Sequence, residues 1–272
     1  MLYPIELLAQ KFILRILITY IIVSMIKTTT ILKTEISETS IEQVSDILIS
    51  KKSTYVAICN ANSLVQSVKN LKLRTAINSF EIKTPDGFPV AKSLSILTNK
   101  KFSRVDGYKV FLNTIEKGLD NKISHYFFGN KEDVVSKLIQ NLQIKYPNII
   151  IDGYSCPPVL EVDDLIRNYG DFISNLNSNI IWISLGLPKQ EIFMKGIKEN
   201  YQVKNNFVGI GGVFDWVAGT KKKAPEWAAN LGLEWILRLL QEPRRLSKRY
   251  FIDNFLYIFY FTKQLISKSK SF

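Results

Sequence analysis

Short runs of β-branched and aromatic residues alternate along the chain with longer segments whose apolar positions recur every three or four residues. Tyr55–Cys59, Phe80–Ile82, His125–Phe128, Ile149–Ile151, Ile180–Ser184 and Phe207–Ile210 read as strands. Helical stretches lie between them, such as Lys131–Lys145, where Val134, Val135, Leu138, Ile139 and Leu142 share one stripe. Strands and helices in that alternation make βαβ units, and hence an α/β fold with a parallel sheet and flanking helices. Crossovers in such a sheet are right-handed, and ligands bind at the carboxyl ends of its strands.

After Gly219 the pattern turns helical. Pro225 is placed to open a helix, and Trp227–Leu240 carries Leu231, Trp235, Ile236, Leu239 and Leu240 at helical spacing. Pro243 interrupts it, and a second segment runs over Arg244–Lys268. The chain thus divides into an N-terminal leader over 1–50, an α/β core over 51–240 and a helical C-terminal appendage over 241–272. Because the appendage follows the last strand-associated motif, the core is expected to fold without it. In the leader, Phe12–Ile26 is an apolar run broken by Arg15, and a spanning helix needs about 20 apolar residues. Glu6 stands where a signal peptide carries positive charge. The run reads as a short membrane-associated helix, a helix packed on the body, or an upstream extension with Met25 as a second start.

Composition narrows the chemistry. Two cysteines, Cys59 and Cys156, exclude a thiolate zinc cluster and a disulfide framework, and one histidine, His125, leaves a histidine triad a single candidate. The net charge is +12. Lys221 to Phe272 holds eleven basic against four acidic residues, so an anionic partner is expected: nucleic acid, phospholipid or a phosphorylated substrate.

Four segments carry candidate chemistry. Thr84–Pro89 encloses Asp86 between Pro and Gly, which suits either a general base on a rigid turn or a plain turn residue. Gly186–Glu191 follows a strand and sets Lys189 and Gln190 at a helix N-terminus, where anions are favoured; the alternative is a solvated cap. Gly209-Ile210-Gly211-Gly212-Val213-Phe214-Asp215 places three glycines where backbone can approach a ligand, with Asp215 positioning a hydroxyl or capping a turn. Glu242-Pro243-Arg244-Arg245, with Lys248 and Arg249, puts cations on the first turns of a helix, where an anion would explain them. The aromatic stretch behind them reads as membrane-surface binding. No D-x-D pair occurs, so a diphosphate would be neutralised by Lys and Arg, without a metal.

Asn60, Thr84–Pro89, Arg104-Val105-Asp106-Gly107, Gly186–Glu191, Gly209–Asp215 and Ala224-Pro225-Glu226-Trp227 stand in an order that resembles the WecG/TagA/CpsF glycosyltransferases. The likeness continues through Gly232-Leu233-Glu234-Trp235, Arg238-Leu239, Glu242–Arg245 and Arg249-Tyr250. It implies a Rossmann-like, metal- and cofactor-independent, inverting enzyme. Such an enzyme passes a hexosamine-type sugar from a UDP-sugar to a polyprenyl-diphosphate-linked sugar. It would sit peripherally on the cytoplasmic face of the membrane and build teichoic acid, common antigen or capsule. By the same resemblance Asp86 is the base, Asn60, Arg104 and Gln190 belong to the sugar site, and Arg244, Arg245 and Arg249 close the site and seat it on the membrane. Lys189, Gly209, Gly211, Gly212 and Asp215 complete the expected substrate contacts.

Three positions depart from the family pattern: Ile58-Cys59-Asn60 where Thr-x-Asn is common, so that a hydroxyl is lost at Ile58, Lys109 where an Asp is common, and Gly129-Asn130 for a frequent Gly pair. The first two bear on the donor sugar. A homo-oligomer is compatible with the sequence. The rival reading is a basic nucleic-acid binder, but basic residues that precede the aromatic helix without interleaving with it argue against nucleic acid. A dinucleotide oxidoreductase would want glycines in Cys59-Asn60-Ala61-Asn62, which has none.

Overall fold

The computed structural model describes residues 26–50 and 52–269; the apolar run over 12–26 lies almost wholly outside them. A hairpin opens the fold, with β1 (Thr28–Ile31) antiparallel to β2 (Thr34–Ser37). Its turn residues Leu32 and Lys33 both have positive φ, the geometry that matches strand twist in a two-residue hairpin. Helix α1 (Ile41–Ser50) follows. Then come β3 (Tyr55–Cys59), α2 (Ala61–Lys69), α3 (Leu71–Asn78), β4 (Ile82–Pro85), α4 (Phe88–Thr98) and α5 (Gly107–Gly118). The second half contributes β5 (Ser124–Gly129), α6 (Glu132–Lys145), β6 (Ile150–Ser155), α7 (Val162–Ser174), β7 (Ile180–Ser184), α8 (Lys189–Asn200) and β8 (Asn206–Gly209).

Strands β3 to β8 form one parallel sheet in the order β4-β3-β8-β7-β5-β6. Side chains alternate between two apolar layers, as a sheet covered on both faces requires. Tyr55, Ala57, Cys59, Ile181 and Ile183 face one layer with Leu64, Leu73 and Phe193. Val56, Trp182 and Val208 face the other with Val44, Phe111 and Val135. Both layers draw on residues before 51: Ile31 and Ile36 in the first, Val44, Ile47 and Leu48 in the second. From β3 the chain moves outward to β4, whereas β8 is reached from β7 on the other side. Neighbours β3 and β8 therefore lead away in opposite directions, and that switch point opens a crevice at their carboxyl ends.

Beyond β8 lie α9 (Val213–Val217), α10 (Glu226–Asn230), α11 (Glu234–Gln241) and α12 (Pro243–Ser269). The continuous helix expected over Trp227–Leu240 is thus two. Gly232, at φ +75°, breaks it, and a Cβ there would lie 3.2 Å from the Phe88 ring. A left-handed residue ends a helix, and only glycine takes that backbone against a ring so close. None of the described helices is long and apolar enough to cross a membrane.

Helix α12 lies against α2 and the hairpin. Tyr257 and Phe261 are buried in the first core layer. Tyr257 Oη hydrogen-bonds Ser93 Oγ at 2.9 Å, Gln264 Nε2 donates to Thr30 O at 2.8 Å, and Leu32 N donates to Gln264 Oε1 at 2.9 Å. These contacts argue against a core indifferent to the appendage: removing α12 would uncover part of the first core layer and take the Gln264 amide away from Thr30 O and Leu32 N. Tyr257→Ala is expected to cost about 3 kcal/mol in denaturant unfolding, and truncation after Glu242 to lower the unfolding midpoint further. Unchanged midpoints for both would make α12 a mere surface attachment.

Candidate active site

Strand register places Asp86. Cys59 pairs with Pro85 across β3 and β4, and the next N–H, that of Asp86, donates to Cys59 O at 2.9 Å. Val105 N donates to Pro85 O at 3.0 Å from the far side. Gly87, at φ +80°, then turns the chain into α4. The Asp86 backbone is held on both sides, so its carboxylate starts from a fixed rim.

Two cavities meet at that rim. The larger, of about 380 Å³, runs over the ends of β3, β7 and β8, between Gly186, Gln190, Gly209–Val213, Asp215, Lys221 and Lys222. The smaller, of about 100 Å³, is walled by Phe88 and Arg104 and roofed by Gly232, Glu234 and Trp235, with Asp253 and Asn254 of α12. Asn60 and Asp86 line both. The larger is of a size that holds small-molecule ligands.

The other expected residues fall on both sides of that junction. Asn60 caps α2, its Oδ1 accepting from Ser63 N at 3.1 Å. Arg104, nearly buried, makes ion pairs with Asp106 at 3.2 Å and Glu234 at 2.5 Å. Burial opposes its charge, but Asp106, Asp86 and Glu234 outweigh that and hold its pKa above the ordinary value. Arg104 therefore fastens α11 to the start of α5, beside the smaller cavity. Lys189 departs from expectation. It is absent from both linings, and its Nζ is spent on Leu160 O at 2.6 Å.

The glycine loop works mainly by close packing. Gly211 N–H donates to Ile183 O at 3.3 Å, and Gly209 pairs within the sheet against both β3 and β7. A Cβ on Gly209 would come 3.0 Å from Gln190 Nε2, whereas one on Gly212 would meet nothing within 4 Å. Of the three glycines, Gly212 is the one that leaves room for a ligand. Asp215 stands inside α9, where its carboxylate accepts from Asn130 Nδ2 at 3.2 Å and pairs with Lys221 at 3.4 Å. Asn130 takes a left-handed backbone at φ +64°, the conformation that a glycine would supply, and adds an amide to this wall.

Sequence reasoning gave no site role to Asn130, Ser184, Glu191, Lys221 and Lys222. Asn130 stood out only as a departure from the family pattern, Glu191 only as the end of the Gly186–Glu191 segment, and Lys221 and Lys222 only as part of a basic run. His125 is excluded from catalysis: it is buried in the sheet, accepts from Trp182 Nε1 at 3.1 Å, and burial pushes its pKa down to about 4. The side chains of Arg244, Arg245, Lys248 and Arg249 lie outside the described residues. Among the described residues, no three His, Cys, Asp or Glu side chains gather as a metal site.

Glu191 is buried in the wall of the larger cavity, with Gln190 Nε2 donating to its Oε1 at 2.8 Å. Burial raises its pKa to about 7, against the lowering effect of that hydrogen bond.

Comparison with known proteins matches residues 29–271 to the glycosyl transferase WecG/TagA/CpsF family. Two similar proteins carry the name N-acetylglucosaminyldiphosphoundecaprenol N-acetyl-beta-D-mannosaminyltransferase. The one from Bacillus subtilis (strain 168) is 29% identical over 190 residues, which cover 70% of this chain and 72% of that protein. The one from Bacillus spizizenii is 27% identical over 194 residues, 71% of this chain and 74% of that protein.

The Glu191 shift has a measurable sign. A carboxyl whose folded pKa is raised contributes stability that is full below about pH 4.5 and lost as pH rises through about 7. Between pH 5 and pH 8.5 the protein should lose on the order of 3 kcal/mol relative to Glu191→Gln, read from paired denaturant titrations. A stability gap that stays constant over this range would place the ionisation elsewhere.

Proposed function

This chain belongs to the WecG/TagA/CpsF glycosyltransferase family, and from that premise we propose that it passes an N-acetylmannosamine-like or related hexose from a UDP-sugar to a polyprenyl-diphosphate-linked sugar, with inversion. The observation that carries the reading is the position of Asp86 on the rim shared by two cavities. The larger takes the nucleotide-sugar, and the smaller takes the acceptor's sugar under the roof formed by α11 and α12. An acceptor hydroxyl then meets the anomeric carbon beside a carboxylate. Its oxygen forms the new bond to that carbon as the carbon–oxygen bond to UDP breaks, the electron pair leaves with the diphosphate, and Asp86 takes the proton.

The departing diphosphate needs positive charge, and Lys222 brings it to the larger cavity, together with Lys221, which is paired there with Asp215 and Glu242 and would exchange them for the diphosphate; Gly212 lines the same cavity. Arg244, Arg245 and Arg249 sit on the first turns of α12 and are assigned the same task, without a metal. The enzyme is placed peripherally, on the cytoplasmic face of the membrane. The support is a set of exposed apolar side chains: Phe88, which lines the smaller cavity, and Trp227, Leu231, Leu240, Phe255 and Phe259 of the C-terminal helical segment. Together with the basic first turns they suit an anionic lipid surface. No observation favours nucleic acid.

Asp86→Asn is expected to leave the fold and UDP affinity intact while lowering turnover by roughly 10²–10⁴-fold. Steady-state assay with a lipid-diphosphate N-acetylglucosamine analogue and a panel of UDP-sugars measures this. Turnover near that of the unaltered protein would remove Asp86 from the role of base.

A further inference from the structure

The family resemblance already assigns Gln190 to the sugar site; we propose that Glu191 is the positioning residue that fixes its side-chain amide, so that Gln190 Oε1 is held beneath Gly211 as the acceptor for an N–H or O–H group of the donor's sugar. The inference rests on the reading of the larger cavity as the nucleotide-sugar site. Both side chains belong to the first turn of α8 and are more than nine-tenths buried, yet both line that cavity. Gln190 Nε2 donates to Glu191 Oε1 at 2.8 Å. With Glu191 ionised, that bond decides which end of the amide faces which way, because a carboxylate accepts only and a carbonyl oxygen has no proton to give it.

The carbonyl end is then left over. Gln190 Oε1 has no hydrogen-bond partner, although it is buried and lies 3.6 Å from where a Gly211 Cβ would stand. A buried acceptor without a partner costs about 1–3 kcal/mol, so the site is built at a loss that a ligand donor would recover. The glycine at 209 belongs to the same device, since a Cβ there would press on Gln190 Nε2 at 3.0 Å. A carbonyl oxygen in this wall also repels phosphate oxygens. This wall therefore reads the neutral sugar, and the anionic diphosphate falls to the cations of the same cavity, Lys221 and Lys222.

The test is a titration calorimetry cycle on the full chain, with UDP, UDP-N-acetylmannosamine and UDP-N-acetylglucosamine as probes. Glu191→Leu frees the amide and should weaken whichever UDP-sugar binds the unaltered protein by roughly tenfold, with UDP affinity unchanged. Gln190→Leu should lose the same amount, and the double variant no more than either single one. Glu191→Gln still offers a carbonyl to Gln190 Nε2 and should retain sugar-nucleotide affinity. Equal losses for UDP and UDP-sugar, additive losses in the double variant, or an unaffected Glu191→Leu would each overturn the positioning role. An unaltered protein that is folded but binds none of the three probes would instead overturn the reading of the cavity, and the inference with it.

Discussion

Parallel pairing of β3 with β4 on one side and β8 on the other is what the rest of the site depends on. Cys59 is held opposite Pro85 and Ala57 opposite Gly209, so the residues that follow each strand emerge on one rim. Asn60, Asp86 and the Gly209–Asp215 loop are distant in sequence and become neighbours only through that register. A slip of one residue would turn the buried alternation of Tyr55, Ala57 and Cys59 to the wrong layer, so the core that stabilises the sheet also fixes the site.

The second half of the site comes from the C-terminal segment, and two kinds of contact bring it there. Arg104 with Glu234, and Lys109 with Glu226, tie α11 and α10 to the start of α5. The two pairs differ in worth. Lys109 and Glu226 are largely exposed, and such pairs contribute little. Arg104 is nearly buried in the wall of the smaller cavity, so loss of Glu234 would remove one of the two carboxylates paired with it there and leave Asp106. Lys109, one of the departures from the family pattern, has a structural partner of its own in Glu226. The larger contribution is apolar, from Tyr257 and Phe261 in the core layer, which makes α12 both a wall of the site and a part of the fold.

The inner strands of the sheet were legible because they are buried on both faces and read as continuous β-rich runs; Tyr55–Cys59 and Ile180–Ser184 match β3 and β7 residue for residue. Strand β4 lies further along than Phe80–Ile82, since Lys83 and Thr84 break the apolar run yet are buried, Lys83 Nζ being bound by Phe80 O at 2.9 Å. The hairpin was not legible. Thr28–Thr30 lacks alternation, and its turn uses Leu32-Lys33 where sequence rules look for Asn-Gly. Helix periodicity carried through Gly232 because spacing alone does not register a backbone of positive φ. Asp86, Asn60, Gln190 and Arg104 fall at the cavities as motif order implied. Lys189 does not, since the direction of a long side chain on a helix's first turn depends on an acceptor, Leu160 O, that local sequence does not specify. Glu191 was hidden by the opposite prejudice, that a charged residue beside a cap is solvated.

The central claim is a single in-line displacement on the rim between two cavities, with proton transfer to Asp86. Its most direct measurement is the anomeric configuration of the transferred sugar, determined by NMR on the product formed from a UDP-sugar and a lipid-diphosphate acceptor analogue. The account expects the new glycosidic bond to carry the configuration opposite to that of the donor. Retention of the donor's configuration would contradict it, because retention requires two displacements or a front-side path in which the acceptor does not attack from the Asp86 face.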